Sequence, residues 1–100
     1  MGARKPATMP RTVKLSHRPH EEPHADPKDI EIGMEDSVKW DYSGDFVVLF
    51  EKETPFGSWY FYPGNNMSGK PRPDVEHNHP YKYSVHIDGK RRDPNVIIRP

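Results

Sequence analysis

The chain has 100 residues, the size of one domain, and contains no cysteine, which excludes disulfides, thiolate metal sites, iron–sulfur clusters and thiol nucleophiles. Hydrophobic residues make up 32% and charged residues 30% of the sequence, and the formal net charge at pH 7 is zero. A neutral chain argues against a dedicated nucleic-acid-binding protein, and no stretch is apolar enough to predict a membrane span.

Charge is distributed along the chain in three blocks. Residues 1–20 carry five bases and no acid, residues 21–53 carry eleven acids and three lysines, and residues 54–100 carry seven bases and four acids. We interpret residues 1–12 as a flexible basic arm and residues 13–100 as a single domain. Opposite charge in the first two blocks would let two chains pair, so a homo-oligomer is compatible with the sequence. The lack of cysteine and of a segment resembling a secretory signal favours a cytoplasmic location.

Short alternating segments predict a chain made of β-strands. The predicted strands, in chain order, cover residues 13–15, 29–32, 37–40, 46–50, 58–62, 81–87 and 95–99. Residues 16–28 contain three prolines and predict a loop. No stretch has the period of a helix. About seven short strands separated by Gly, Pro, Asn and Asp predict an all-β sandwich or barrel.

The predicted core follows from the alternation of apolar residues in these strands. In residues 81–87 the apolar side chains alternate with polar ones, which assigns one face to the core. Residues 46–50 are apolar throughout, so the sequence leaves open which side chains of this strand face inward. The predicted core consists of Ile30, Ile32, Val38, Trp40, Val47, Leu49, Tyr83, Val85, Val96 and Ile98, with some of Phe46, Phe50, Phe56 and Phe61.

Four segments together resemble the cupredoxin family. Residues 30–40 resemble its strand, Gly–Asp-type turn and Val-x-Trp strand, and residues 46–50 resemble the strand that follows. Residues 81–85 resemble the tyrosine-rich strand that leads into the copper loop, and residues 93–98 resemble the closing strand. The resemblance spans residues 28–100 and implies a cupredoxin-like Greek-key β-sandwich, of the plastocyanin and azurin type, with about seven strands.

The resemblance fails at the copper site. Cupredoxins hold type 1 copper with two histidines, one cysteine and usually a methionine. The resemblance places the first histidine beside Asp45 and the cysteine at Val85. It places the second histidine and the methionine around Asp88 and Asp93. None of the ligand types is present at these positions. The resemblance therefore implies the fold without copper or another cofactor. With no Ser–His–Asp order, P-loop or dinucleotide fingerprint, we expect a non-enzymatic binding or structural module with an unidentified protein partner.

Histidines give an alternative. His17, His20 and His24 share the proline-rich segment, and His77 and His79 share a later one. On an extended segment, His77 and His79 would face the same side and suit one Zn(II) or Cu(II) ion, with a third ligand from the first group. The opposing interpretations are solvated loop histidines and a pH-responsive role.

Consecutive aromatic residues at 59–62 give a second alternative. Alternation would send two of them to each face, so one pair would fill the core and the other would be partly exposed. The candidate binding surface consists of Trp59, Tyr60, Tyr62, Asn65 and Asn66. Such a surface is typical of a protein interface or of a carbohydrate-binding module. The remaining interpretation is that the second pair lies under the loop formed by residues 63–76.

Overall fold

Ten strands and no helix form the fold of residues 10–100, the part of the chain that the computed structural model describes. They are β1 (Pro10–Ser16), β2 (His24–Asp26), β3 (Asp29–Gly33), β4 (Ser37–Asp41), β5 (Val47–Leu49), β6 (Tyr60–Phe61), β7 (Pro80–Lys82), β8 (Ser84–Ile87), β9 (Lys90–Arg92) and β10 (Asn95–Arg99). They pair into three sheets with the orders β2-β1-β4, β3-β10-β7 and β6-β5-β8-β9. Within this range no helix is present that could cross a membrane.

Alternation in the sequence decides which side chains enter the core. In β3 and β10 every second residue is apolar and buried, while the residues between them are exposed or half-buried. The same pattern occurs in β1 and β4. Because successive side chains of a strand point to opposite faces, each of these strands lines the core with one face. The prediction of an all-β fold is confirmed.

Strand neighbours are mostly distant in the sequence. β1 pairs in parallel with β4, and β10 pairs in parallel with β3. The segment from β7 to β8 joins two sheets, because β7 pairs with β10 whereas β8 pairs with β5 and β9. Between them, the backbone N–H of Tyr83 donates to the carbonyl of Pro94 at 3.0 Å. This arrangement is compatible with a β-sandwich.

The core is centred on Trp40, which is fully buried. Its ring stacks on Phe61 with a centroid distance of 4.9 Å and meets Tyr83 edge-on at 5.5 Å. Phe50 and Phe56 approach it edge-on, each at 6.4 Å. Trp40 belongs to the first sheet, whereas Phe61 belongs to the third, so the two sheets pack face to face.

The predicted inward face of residues 46–50 is wrong. Val47 is 41% exposed and Leu49 is half-buried, whereas Phe46, Val48 and Phe50 are buried. The register explains the choice, because Val48 lies opposite Phe61 on one side and Val85 on the other, and both of these are buried. A strand that is apolar on both faces carries no local signal of this choice.

The number of strands also exceeds the predicted seven. β2 forms inside the segment predicted as a loop, β9 forms at 90–92, and the predicted strand 81–87 is divided into β7 and β8. Residues 10–12, expected to belong to the flexible arm, are part of β1 and pair with β4. The rest of the predicted arm, residues 1–9, lies outside the described residues.

The two valines of β5 provide a test of this register. Val48→Ala removes buried methyl groups, so we expect it to lower the free energy of unfolding by about 2 kcal/mol. Val47→Ala, the matched control, should change it by no more than about 0.5 kcal/mol because Val47 is exposed. Urea unfolding of both variants checks this. An equal loss in the two variants would contradict the register.

Candidate functional site

The outer face of the third sheet carries a group of exposed apolar and aromatic side chains. The register places Leu49 opposite Tyr60, and continuing it by one residue places Val47 opposite Tyr62. Since Val48 and Phe61 point into the core, these four side chains lie on the outside. We name this surface the tyrosine face and define it as Val47, Leu49, Tyr60 and Tyr62.

The two tyrosines form a stacked pair that solvent reaches. Tyr60 is 54% and Tyr62 is 41% exposed, and their rings lie 5.7 Å apart with an interplanar angle of 23°. Val47 adds an exposed aliphatic side chain beside them. Exposed apolar side chains that lie together make this face a candidate binding surface.

Backbone hydrogen bonds on both sides hold Tyr62 in place. A tight turn through Pro63 and Gly64 follows β6, with Tyr62 N–H donating to the Asn65 carbonyl at 3.1 Å and Asn65 N–H donating to the Tyr62 carbonyl at 2.8 Å. Immediately afterwards the chain reaches the first sheet, where Trp40 N–H donates to the Asn66 carbonyl at 3.0 Å. The tyrosine face therefore lies on a fixed part of the backbone.

Two of the predicted surface residues are separated from the tyrosine pair. The side chain of Asn66 donates from Nδ2 to the carbonyl of Trp40 at 2.8 Å, so this amide supports the fold and is not free for a ligand. Trp59 is 49% exposed, lies at a bend before β6, and among the described residues makes no ring contact with either tyrosine. Asn65 is exposed. Sequence reasoning missed Val47 and Leu49 because it assigned both to the core.

Beyond Val47, the sheet continues into polar side chains. His86 lies opposite Val47, and its Nε2 is 2.8 Å from Oγ of Ser84. A serine beside a histidine is the arrangement of a nucleophile and its base, but Ser84 is only 1% exposed, so a substrate does not reach it. Farther out, Arg91 donates to Glu51 at 3.1 Å and to Asp93 at 3.0 Å. These three charges pair with one another, and His86 lies between Arg91 and Val47 across the sheet.

His79 occupies a second site, at the end of the loop before β7. Its Nε2 donates to Oε2 of Glu53 at 2.8 Å, and its Nδ1 lies 3.3 Å from Oε2 of Glu76. The hydrogen bond to Glu53 raises the pKa of His79 above its ordinary value, and the charges of both carboxylates add to the increase. Burial opposes it in part. The sequence offered no signal for the contact with Glu53, because Glu53 is 26 residues away from His79.

The histidines do not assemble as the metal-binding alternative expected. His77 is exposed and lies in a turn with Asn78, whose φ of 58° means that residues 77–79 are not extended. The extended backbone on which the prediction of a shared ion rested is therefore absent at residues 77–79. Around His79, the two carboxylates contact opposite ring nitrogens, one through a hydrogen bond and the other at ion-pair distance, which suits an imidazolium and not one shared metal ion.

The other predicted ligands lie apart. His17 is buried beside Asp88 at 3.5 Å, and His24 lies 3.8 Å from Glu21. His20, exposed, has a φ of 67° in the turn between them. In residues 10–100, no three His, Asp or Glu side chains are grouped so that they could hold a metal ion.

Comparison with known proteins gives no relative for this chain. Neither protein-family models, nor curated proteins, nor solved structures gave a significant match. A function therefore has to be argued from the tyrosine face and the His79 site themselves.

Alanine substitutions of Asn65 and Asn66 test whether the side-chain amide of Asn66 supports the fold. Asn66→Ala leaves the carbonyl of Trp40 without its side-chain donor, so we expect the free energy of unfolding to fall by about 1 kcal/mol. Asn65→Ala, whose exposed side chain makes no such bond, should change it by less than about 0.5 kcal/mol. Thermal or urea unfolding measures both. If Asn66→Ala were as stable as the native chain, the hydrogen bond from the native Asn66 amide to Trp40 would not support the fold. The native amide would then be available to a ligand.

Proposed function

We propose that this protein is a non-enzymatic, copper-free, cupredoxin-like binding module that acts through protein contacts, and that the tyrosine face is its contact surface. The observation that carries the proposal is the stacked and exposed pair of Tyr60 and Tyr62 beside exposed Val47. The partner is an unidentified protein, which crosslinking at position 62 would capture.

Tyrosine is suited to this role for energetic reasons. A tyrosine ring buries a large apolar area and keeps a polar hydroxyl for the wet edge of an interface. With only two side-chain torsions, and with its motion restricted by stacking, it loses little entropy when a partner binds. The face also combines aromatic with aliphatic side chains, and the sheet carries polar side chains beyond it, from His86 to Arg91, as the rim of an interface does.

The cupredoxin-like part of the proposal has two supports. An antiparallel pair of strands that are distant in sequence, such as β5 with β8, is what a Greek-key connection produces. At the position that the resemblance assigns to the copper-binding cysteine, Val85 is fully buried in the core. An aliphatic side chain there has no capacity to bind a metal, which supports a module that does without copper.

Carbohydrate binding would use the same rings but receives less support. A sugar stacks on an open ring face, whereas Tyr60 and Tyr62 cover one face of each other. The side-chain amide of Asn66 donates a hydrogen bond to the backbone carbonyl of Trp40. Among the described residues, the ring of Trp59 contacts neither tyrosine ring. Protein contact needs neither of these residues.

Site-specific photo-crosslinking in the native cell tests the contact surface. A photoreactive phenylalanine analogue in place of Tyr62 is expected to form a covalent adduct with one protein reproducibly, because position 62 lies at the contact. The matched control places the analogue at Glu22, an exposed position on the loop between β1 and β2. Excess unlabelled native protein should compete for the adduct, and the variant Tyr60→Ser/Tyr62→Ser should not.

Several outcomes would contradict the proposal. Adducts of equal yield at positions 22 and 62, or none at position 62, would exclude the tyrosine face as a protein-binding surface. Shifts of the Tyr60 and Tyr62 ring signals on titration with a glycan would replace the protein partner with a carbohydrate. A rise in the unfolding midpoint with Zn(II) or Cu(II) that is lost in His77→Ala/His79→Ala would establish a metal-binding domain.

A further inference from the structure

The segment between β5 and β6, residues 50–59, is held to the loop that precedes β7 at two points. Arg72 donates from its side chain to the Thr54 carbonyl at 2.7 Å, and from its backbone to the Pro55 carbonyl at 2.8 Å. The second point is the hydrogen bond from His79 to Glu53. Histidine is the side chain whose ordinary titration range lies near neutrality, so the second point is the one that can respond to pH there.

We propose that His79, held between Glu53 and Glu76, is a pH-sensitive clamp that fastens the segment between β5 and β6 to the loop before β7. This inference does not depend on the contact function of the tyrosine face. It assigns a regulatory role to a cluster of three side chains that the proposed function leaves unused.

The geometry favours a protonated ring. An imidazolium carries a hydrogen on each nitrogen and can donate to both carboxylates, whereas a neutral imidazole carries only one. With Nε2 at 2.8 Å from Glu53 and Nδ1 at 3.3 Å from Glu76, both nitrogens face an oxygen. Loss of the proton would remove the positive charge that attracts both carboxylates and would leave one lone pair facing a carboxylate oxygen. The contact with Glu53 would then be weaker, because a neutral ring can offer it a hydrogen bond but no ion pair.

Tyr81 supports the ring from β7. Its ring meets that of His79 edge-on with a centroid distance of 4.9 Å. Its hydroxyl accepts a hydrogen bond from the backbone N–H of Glu76 at 2.8 Å. The same tyrosine thus orients the histidine and positions the segment that carries one of the two carboxylates.

Other charged groups near the clamp have their own partners or lie on its open side. From β10, Arg99 donates to Glu31 at 2.9 Å and to Asn78 at 2.7 Å, so its charge is engaged elsewhere. Lys52 and Lys82 line the same cleft of about 300 Å³ as Glu53. These two lysines are the cations that would attract Glu53 when His79 is neutral.

The direction of the pH effect follows from the pKa of His79. Since the fold raises this pKa, the folded state holds the proton more tightly than the unfolded chain does. The clamp therefore contributes its full stability below the pKa of an unfolded histidine. The contribution is lost as the pH rises through the pKa of the folded state. The segment between β5 and β6 should therefore be held to the loop before β7 in mildly acid solution and held less firmly in mildly alkaline solution.

Proton titration followed by NMR is the direct test of the clamp. In the native chain we expect His79 to titrate above the ordinary value for histidine, and Glu53→Gln should move its pKa back towards that value. A His79 pKa at or below the ordinary value would overturn the proposal. Because Glu53→Gln alters only an exposed carboxylate, this variant keeps the test valid even if His79→Gln fails to fold.

Stability as a function of pH gives the second readout. The loss of stability in His79→Gln should be largest at about pH 5.5 and should shrink towards about pH 8, with a parallel change in amide exchange of residues 53–58. His24→Gln is the matched control, because His24 contacts an exposed glutamate only three residues away and fastens no second segment. Identical pH profiles for the native chain and His79→Gln would overturn the clamp.

Discussion

The contact between the indole of Trp40 and the aromatic side chains of the opposite sheet is the interaction on which the rest of the fold depends. It fills the space between two sheets in a chain with few large apolar residues. The packing has a cost, because the indole N–H of Trp40 and the hydroxyl of Tyr83 lie near each other and are buried with no partner of full hydrogen-bond geometry among residues 10–100. Burial raises the pKa of Tyr83 far above its ordinary value, and the nearby indole opposes only part of that increase. The apolar contact of the rings has to offset this penalty.

The tyrosine face follows from the same packing. Once Phe61 stacks on Trp40, the residues on either side of it in the chain must point away from the core. Those residues are Tyr60 and Tyr62, so a strand rich in aromatic residues supplies both the core and the surface. Across the sheet, Val48 points inward for the same reason and Val47 is turned to solvent. The exposed apolar surface is thus the outer half of segments whose inner half stabilises the core.

Local patterns in the sequence predicted those features that depend on alternation alone. The strands around Ile30, Val38 and Val96, the burial of Trp40 and the exposure of Tyr60 and Tyr62 belong to this group. What depends on tertiary pairing could not be predicted. The orientation of residues 46–50 is set by strands that lie 11 or more residues away, and the engagement of Asn66 and of His79 depends on partners 26 residues away. Residues 77–79 were predicted to be extended, whereas the backbone of Asn78 is left-handed. No clear signal in the sequence indicates this conformation.

The parallel pairing of β3 with β10 has a consequence for the order in which the protein can assemble. In the described chain β3 is an edge strand whose only neighbour is β10, which begins 62 residues after β3 ends. On a ribosome, which adds about 5–20 residues each second, β3 therefore waits several seconds with its hydrogen-bonding groups and its two isoleucines unprotected. Closing so long a loop is also slow, since the entropy of the intervening chain is lost before the strands gain contact. During this interval the nascent chain is exposed to chaperones and to other nascent chains, and Ile30 and Ile32 are the side chains they would meet first.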